Sequence, residues 1–401
     1  MTTDLAYALD TFGLLMCALL VMLMQPGFAL LEAGLHSAKN LVNILMKNFA
    51  DFAVAGLAFW AFGFALMYGG GPFLAGYEPA LNAPVAMELL FQLVFAATAA
   101  TIVSGAIGGR AKFSGYLIFS VVLTATVYPM LGRWHWGGGW LSELGFHDFA
   151  GSSVVHAVGG FAALGAVLAL GPRLGRYVGG KSVALPGHNM ALAGIGVFLL
   201  WIAWFGFNGG SQLSFSTTED AVAIAGIALS TYLASAAGAV AALLASWALF
   251  AKPDFSMTIN GALAGLVAIT AGPDVIAGGG AVAVGALGGL LVIGSVLLLD
   301  RLRIDDPVGA VSVHGVVGVW GTLAVGLFGG ANLGVQLLGT LCYALGAFTA
   351  GFVGFRVLHL LGLARVSAND EVAGLDVSEH GTIGYSTTDL LNQPVVMSSG
   401  D

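Results

Sequence analysis

The sequence predicts an all-α, polytopic membrane protein with eleven transmembrane helices. Of its 401 residues, 58% are hydrophobic and only 8% are charged, against about 25% charged in an ordinary soluble domain. The second observation is a series of apolar segments, most of them near the roughly 20 residues that cross a hydrocarbon core of about 30 Å. These segments cover residues 11–31, 50–69, 86–107, 114–131, 152–171, 190–207, 222–250, 257–271, 278–299, 307–328 and 336–361.

The domain division follows from the positions of these segments. Residues 1–363 form a transmembrane domain, with halves at about 11–171 and 190–328 and a last helix at 336–361. Residues 364–401 form a cytoplasmic tail. The first segment has no basic residues before it, so we expect a spanning helix that is retained, rather than a cleaved signal peptide.

Lys and Arg residues predict the orientation. Twelve of the thirteen follow odd-numbered segments or end the eleventh, whereas Arg133 alone falls on the other side. Because short cytoplasmic loops carry the excess of Lys and Arg, we expect the N-terminus outside and the C-terminus in the cytoplasm.

Glycine is abundant, with 61 residues, and is concentrated in runs such as 278–289. Glycine weakens a helix in water by about 1 kcal/mol, but in lipid it lets helix backbones approach closely. Tight helix packing is therefore the favoured interpretation. A phosphate-binding loop is disfavoured, since no Gly-Lys-Ser/Thr follows.

A repeated motif connects the two halves. Asp148, Gly151 and His156 recur with the same spacing 158 positions later, where Asp306 and His314 begin and end the second copy. The two segments run in opposite directions, so segments 1–5 and 6–10 are predicted to be inverted repeats. Eight residues at 1.5 Å each place either histidine about 12 Å deep, so both imidazoles are expected near the midplane.

A histidine inside the membrane is a functional-site hypothesis by default, with alternatives. Each of His156 and His314 could be a packed residue bonded to neighbouring helices, but a pair at one depth makes this less favoured. A metal site would have a poor ligand set, because no Cys, Asp or Glu lies at that depth; no metal or cofactor is expected. Two neutral imidazoles suit a narrow hydrogen-bonding path or a proton relay.

Aromatic residues collect toward the predicted outer ends of segments three, four and six. They include Phe91, Phe95, Trp136 and Phe207, with the hydroxyl of Ser211 close in sequence. Taken singly, they are typical of an interfacial aromatic belt. Grouped, they could form a cage that holds a small cation through cation–π attraction of about 0.5–2 kcal/mol per ring.

Several motifs, in order and along nearly the whole chain, resemble the ammonium transporter (Amt/Mep/Rh) family. They are Phe28 to Leu35 with Lys39 and Asn40, Phe91-Gln92 with Phe95, Trp136-Gly-Gly-Gly, Asp148 to His156, Trp204 to Ser211, Asp306 to His314, and Gly374 to Gly381. The resemblance implies a homotrimer in the cell membrane with one pore per protomer, which transports ammonium or ammonia and is not an enzyme.

The resemblance also implies roles for individual residues. Trp136, Phe95 and Ser211 would form the outer ammonium site, and Phe95 with Phe207 the gate beneath it, supported by Phe91. His156 and His314 would line the pore or relay protons. For Asp148 we expect a structural or electrostatic role that favours cation entry, with helix capping alone as the alternative; Asp306 is its counterpart.

The chain departs from the family at Gly108-Gly-Arg110, where members commonly have Ala-Glu-Arg, so the usual contacts of that inner loop come into doubt. Tails in this family contact neighbouring protomers and PII-type regulators, and some members are fused to signalling domains. An ammonium sensor with little flux is therefore a second hypothesis, and a continuation beyond Asp401 into a signalling segment would favour it.

Two further functions are disfavoured. Trp136 and Ser211 argue against a Rh-like gas channel, and the number of segments and the lack of paired Asn-Pro-Ala motifs exclude an aquaporin. The net charge of −8 argues against nucleic acid as a partner.

Overall fold

The computed structural model describes residues 3–385. Each predicted segment lies on an apolar helix, and ten of these helices are long and apolar enough to span a membrane. The remaining one, α8, has 15 residues and is therefore about 22 Å long. The helices are α1 Thr3–Leu35, α2 Ala38–Tyr68, α3 Val85–Ile107, α4 Phe113–Arg133, α5 Ser152–Leu170, α6 Met190–Gly210, α7 Thr218–Phe250, α8 Phe255–Ile269, α9 Gly279–Arg301, α10 Val311–Phe328 and α11 Leu333–Leu360.

Shorter elements complete the described chain. A single helical turn, Trp140–Glu143, precedes α5, and a two-stranded hairpin joins α5 to α6, with β1 at Tyr177–Val178 and β2 at Lys181–Ser182. After α11 the tail forms α12 at Ala368–Ala373 and α13 at Leu375–His380. Residues 386–401 of the predicted tail lie outside the described residues.

The helices bury small and apolar side chains inside the bundle and expose large apolar ones on its outside. Helix α3 is buried along most of its length, whereas Phe49, Phe198 and Leu345 on other helices are more than 65% exposed. Such a surface would be unfavourable in water and suits lipid or a neighbouring protein. The protein is therefore a multi-pass membrane protein; its direction in the membrane remains a prediction.

Equivalent helices of the two predicted halves pack against each other. Helix α1 packs along α6, and the first turns of α5 and α10 cross at the centre of the bundle. At this crossing a Cβ on Gly160 would lie 2.1 Å from the backbone nitrogen of Gly315. Two glycines therefore allow the two histidine-bearing helices to meet.

Close backbone contact also explains the glycine run in α9. A Cβ on Gly285 would lie 2.1 Å from the carbonyl oxygen of Ala234 on α7, and one on Gly289 would lie 2.2 Å from that of Gly238. Tight helix packing, as predicted for this run, is confirmed.

The predicted start of the second segment is wrong. Residue 50 was expected to begin it, but α2 begins at Ala38. The polar residues in this stretch are buried because they find partners: Lys47 donates to the carbonyl oxygen of Ala111 (3.0 Å), and the amide of Asn43 binds Glu379 (2.9 Å). Lys47 was counted among the loop residues that predict the orientation. Because it lies inside α2, one residue fewer supports that prediction.

The stretch Gly108-Gly-Arg110, where the chain departs from the family pattern, is bound by residues from distant loops. Arg110 is fully buried, and its guanidinium donates to the carbonyl oxygens of Gly171 and Asp305, both at 2.8 Å. Its Nη1 also lies 3.8 Å from the carboxylate of Asp305. A Cβ on Gly108 would lie 2.3 Å from Nε2 of His36, so the close approach of this imidazole requires glycine there.

Asp305 organises the charges at this end of the bundle. It accepts two hydrogen bonds from the guanidinium of Arg173, at 2.8 and 2.9 Å, and is 2% exposed. Burial alone would raise the pKa of Asp305, but the bonds from Arg173 and the charge of Arg110 hold it well below its usual range. The tail lies at the same end, where the backbone nitrogen of Leu375 donates to Asn40 (3.0 Å).

Candidate functional site

The two motif histidines meet inside the bundle. Nδ1 of His156 lies 3.2 Å from Nδ1 of His314, and the ring centroids are 5.2 Å apart with 27° between the planes. Both side chains are buried, at 0% and 3% exposure. At this distance one Nδ1 carries a proton and donates while the other accepts. The pair is therefore a direct hydrogen-bonded link between the two halves.

Each histidine belongs to a π-helical turn that opens its helix. These turns are Ser152–Ala157 and Val311–Val316. Single π-helical turns in α-helices are frequently found at functional sites. The repeated sequence motif thus corresponds to a repeated local structure.

The motif aspartates cap these turns. The carboxylate of Asp148 accepts hydrogen bonds from the backbone nitrogens of residues 151, 152, 153 and 154, at 2.8–3.0 Å. Asp306 accepts from Ala310 (3.0 Å) and Val311 (2.8 Å). Such bonds satisfy N–H groups that a helix start leaves without partners. Capping is therefore a structural role that both residues have.

Burial and hydrogen bonding have opposite effects on these carboxyl groups. Burial raises the pKa of Asp306 to about 6, although the N–H groups of Val311 and Ala310 oppose the change. Burial also raises the pKa of Asp148, against four N–H donors. A carboxylate can accept all four of these hydrogen bonds, whereas a protonated acid would lose an acceptor site. The four N–H donors therefore favour the charged form of Asp148.

A stack of aromatic rings leads from one end of the bundle to the histidines. Phe207 lies 5.4 Å from His156 between ring centroids, and Phe95 stacks on Phe207 at 4.1 Å. Trp136 follows, with its ring edge-on to Phe95 at 5.9 Å. Phe91 packs beside Phe95 at 4.8 Å. The structure thus brings together four aromatic residues that come from three separate stretches of sequence.

The polar groups at the outer end of this stack are engaged in hydrogen bonds. Nε1 of Trp136 donates to the carbonyl oxygen of Asp148 (2.9 Å), so only the ring is left to contact a solute. The hydroxyl of Ser211 donates to the carbonyl oxygen of Phe207 (2.8 Å) and keeps its lone pairs available as acceptors. Ser211 lies one helical turn beyond Phe207.

A cavity of about 150 Å³ lies against Trp136. Its lining mixes aromatic rings with a carboxylate and an amide; it includes Tyr68, Tyr77, Glu88, Gln92 and Leu213. Glu88 accepts from the hydroxyl of Tyr77 (2.7 Å). The outer end of the ring stack is therefore bordered by a polar, aromatic cavity.

Two ring contacts were missed by the sequence reasoning. Trp204 stacks on His156, with centroids 4.9 Å apart and 20° between planes, and Nε1 of Trp204 is held by Thr270 (2.8 Å). Phe28 packs against His314 at 5.7 Å. The spacing of Trp204 and Phe207, three residues apart on one helix, was a signal that both rings lie on the same face.

Within residues 3–385, no group of three or more His, Cys, Asp or Glu residues is arranged to hold a metal ion. The His156 and His314 pair is instead surrounded by Trp204, Phe207 and Phe28. Such a lining offers hydrogen bonds at the imidazoles and apolar walls elsewhere, so it can accommodate a small molecule that forms hydrogen bonds.

A bundle of membrane-spanning helices with a buried histidine pair below a stack of aromatic rings defines a transport protein for a small solute. The family follows from comparison with known proteins. The chain belongs to the Ammonium Transporter Family, whose model matches residues 12–385.

Named relatives agree with this membership. The chain is 46% identical to ammonium transporter Amt2 of Archaeoglobus fulgidus, with 94% of this chain and 88% of the relative covered. It is 39% identical to ammonium transporter Amt2 of Methanocaldococcus jannaschii, with 96% and 93% covered.

Solved structures share the fold. A protein described as a sensor Amt protein superposes with a TM-score of 0.88 at 36% identity, covering 94% of this chain and all of the other. Mep2 of Candida albicans superposes with a TM-score of 0.84 at 26% identity, covering 92% and 89%. The predicted family and helical membrane fold are confirmed, and ammonium transport is the function that they support.

Proposed function

We propose that the protein recruits ammonium at an outer site formed by Trp136, Phe95 and Ser211, removes a proton below the rings of Phe95 and Phe207, and conducts ammonia past the histidine pair. The observation that carries the proposal is the unbroken series of ring contacts from Trp136 to the pair. Phe91 supports the gate by packing beside Phe95.

The physical reason for a proton-removal step is the cost of desolvation. An unpaired ammonium ion loses its hydration in an apolar passage, which costs several kcal/mol or more, whereas neutral ammonia avoids the charge penalty. Rings at the outer end favour the cation by about 0.5–2 kcal/mol each. The site would therefore select ammonium outside and admit ammonia inside.

The histidine pair suits both ammonia and the released proton. Nε2 of His156 has no hydrogen-bonding partner within the described residues, so it is free to bind a passing molecule. It accepts a hydrogen bond when Nδ1 of His156 carries the proton, and donates one when Nδ1 of His314 does. The contact of 3.2 Å between the Nδ1 atoms can pass a proton from one ring to the other. Asp148 would favour cation entry through its buried charge, in addition to capping α5.

A second candidate function is ammonium sensing. It is favoured by the superposition on a protein described as a sensor Amt protein, at 36% identity over its whole length. In this case ammonium would occupy the same outer site, and the readout would be a movement of the tail that packs on the start of α2.

The proposal extends to assembly and partners. We place the protein as a homotrimer in the cell membrane, with its tail in the cytoplasm, where it could meet a PII-type regulator. The basic residues at the tail-bearing end of the bundle, among them Lys39, Arg110, Arg173 and Arg365, support this direction.

The test is transport by the purified protein in lipid vesicles. We expect an ammonium pulse to produce a current and ammonium uptake, and an equal sodium pulse to produce neither. A His156→Leu, His314→Leu double variant removes both hydrogen-bonding rings while nearly keeping the volume, so its flux or its selectivity should change while trimers form normally. Normal ammonium-specific flux in that variant would overturn the pore assignment. Binding without uptake in the unmodified protein would favour the sensor.

A further inference from the structure

A second small cavity lies beyond the histidine pair, toward the tail-bearing end of the bundle. Its volume is about 10 Å³, which is close to the space that one water molecule occupies. Ammonia has a similar size. The lining includes Phe28, Glu32, Gly105, Asn260, Val308 and His314.

Glu32 is the acidic residue in this lining. It is 1% exposed, and its Oε2 accepts hydrogen bonds from the hydroxyl of Ser104 and from Nδ2 of Asn48 (3.0 Å). Asn48 is held in turn by the hydroxyl of Thr101 (2.7 Å). Oε1 of Glu32 has no hydrogen-bonding partner within the described residues. One carboxyl oxygen is thus fixed by side chains of two helices, α2 and α3, whereas the other has no partner in the part of the chain that the structure describes.

The charge environment of Glu32 is also unusual. Among the described residues, no Lys, Arg or His nitrogen lies within 4.0 Å of its carboxyl group. An ionised carboxylate without a partner is costly to bury, whereas the neutral acid is not. A neutral Glu32 avoids this cost in the empty site, and the carboxylate becomes favourable once a cation forms beside it.

We propose that Glu32 is the inner proton donor of the pathway, which reprotonates ammonia after it has passed His314. This inference rests on the proposed function. The O–H bond of the Glu32 acid breaks, and a new N–H bond forms on ammonia, so the products are ammonium and the Glu32 carboxylate. A proton passed on from His314 then restores the acid, and the ion that leaves carries the charge inward.

The glycine opposite Glu32 leaves the space that this step requires. A Cβ on Gly105 would lie 2.7 Å from Cγ2 of Val308 and 3.2 Å from Cδ of Glu32. Both contacts are tighter than ordinary van der Waals distances. Because the cavity holds only one small molecule, a methyl group at this position would fill it.

The test compares a variant that cannot donate a proton with one that can. Glu32→Gln keeps an oxygen for Ser104 and Asn48 but removes the acid, and we expect its ammonium-driven current and uptake to fall at least about tenfold, at the low end of general acid effects. Its half-saturating ammonium concentration should stay unchanged. Glu32→Asp keeps the acid and should retain more flux than Glu32→Gln.

The matched control is Asp51→Asn. Asp51 is also a fully buried acid, but it is bonded to the hydroxyl of Tyr116 and does not line the cavity. We expect this variant to keep flux within about twofold, because general acid catalysis requires contact with the reacting molecule. All currents are normalised to the amount of assembled protein recovered on gel filtration.

A spectroscopic measurement distinguishes proton donation from packing. An ammonium pulse on the unmodified protein should remove an infrared C=O band of a protonated carboxyl group, and that change should be missing in Glu32→Gln. Unchanged flux in Glu32→Gln, or no such band change in the unmodified protein, would overturn the assignment while leaving the transport proposal intact. Absence of ammonium flux in the unmodified protein would refute the transport proposal first and this step with it.

Discussion

Substituting Gly160 by Ala tests whether the close crossing of α5 and α10 holds the histidines in contact. The new Cβ would lie 2.1 Å from the backbone nitrogen of Gly315 and 2.5 Å from its Cα. Contact distances begin at about 3.5 Å, so the two helices must separate locally by roughly 1.4 Å. Both neighbouring atoms are backbone, so no flexible side chain can move aside. Overpacking of this kind costs about 1–3 kcal/mol.

The displacement acts directly on the pore. The Nδ1 atoms of His156 and His314 are 3.2 Å apart, and a further 1 Å or more takes them beyond hydrogen-bonding distance. We therefore expect Gly160→Ala to lose most of its ammonium-driven current in vesicles while it still assembles. The half-saturating concentration should remain unchanged, because the outer aromatic site is not moved.

The control is a glycine with open space around it. Among residues 3–385, no atom lies within 4 Å of a Cβ built on Gly226 in α7, so Gly226→Ala should transport normally. Wild-type current in a well-assembled Gly160→Ala variant would show that the pathway does not depend on direct contact between the histidines. Equal loss in both variants would indicate a general effect on helix packing instead.

Four further variants test the outer site and the charged ends of the bundle. Trp136→Leu should raise the half-saturating ammonium concentration about tenfold, since one desolvated ring contributes about 1–2 kcal/mol, and Ser211→Ala should have a smaller effect in the same direction; no change in either would place the recruitment site elsewhere. Asp305→Asn should lower the free energy of unfolding of the detergent-solubilised protein by about 3–5 kcal/mol, because it leaves buried arginines without their carboxylate partner. A thermal melt that gives a free energy of unfolding within about 1 kcal/mol of the unmodified protein would contradict this. Burial alone would lower the pKa of His147, but its hydrogen bond to Asp274 raises the pKa above the usual value. The stabilisation by protonated His147 is therefore fully present below about pH 6.5 and is lost as the pH rises through the folded-state pKa. We expect the free energy of unfolding of the unmodified protein to be about 0.2–1 kcal/mol higher at acidic than at alkaline pH because of this pair, and His147→Gln should abolish that contribution. An unchanged pH dependence in the variant would assign it to other groups.

The helical membrane fold was readable from the sequence because it depends on local properties. Runs of apolar residues predict spanning helices wherever they occur, since lipid leaves helices and closed barrels as the stable spanning structures. The spacing from Asp148 to His156 and from Asp306 to His314 was equally informative, because a capped helix start determines the position of the eighth residue. The aromatic residues were grouped from the sequence as a possible cation cage, and the family resemblance then implied their individual roles. Their ring contacts became visible only in the structure.

Errors in the sequence reasoning arose where a polar side chain has a distant partner. A hydropathy pattern treats Lys47 and Asn43 as loop residues, because it has no information on the Ala111 carbonyl or the Glu379 carboxylate that satisfies them. The buried partner of Arg110 was likewise hidden, since Asp305 is 195 residues away. Polar burial depends on which helix ends meet, and that is a property of the packed bundle.

The helical membrane fold, the resemblance to the ammonium transporter family and the equivalent positions of two histidines in a repeated motif all follow from the amino-acid sequence. Helix packing adds what the sequence leaves open: the Nδ1 atoms of His156 and His314 are in contact, and Trp204 covers one ring. It also places Glu32 in the lining of a cavity that His314 borders, with one carboxyl oxygen that has no partner among the described residues. The difference arises because the depth of a residue follows from its position along one helix, whereas contacts between side chains depend on how closely two backbones cross. Here the backbones cross at Gly160 and Gly315.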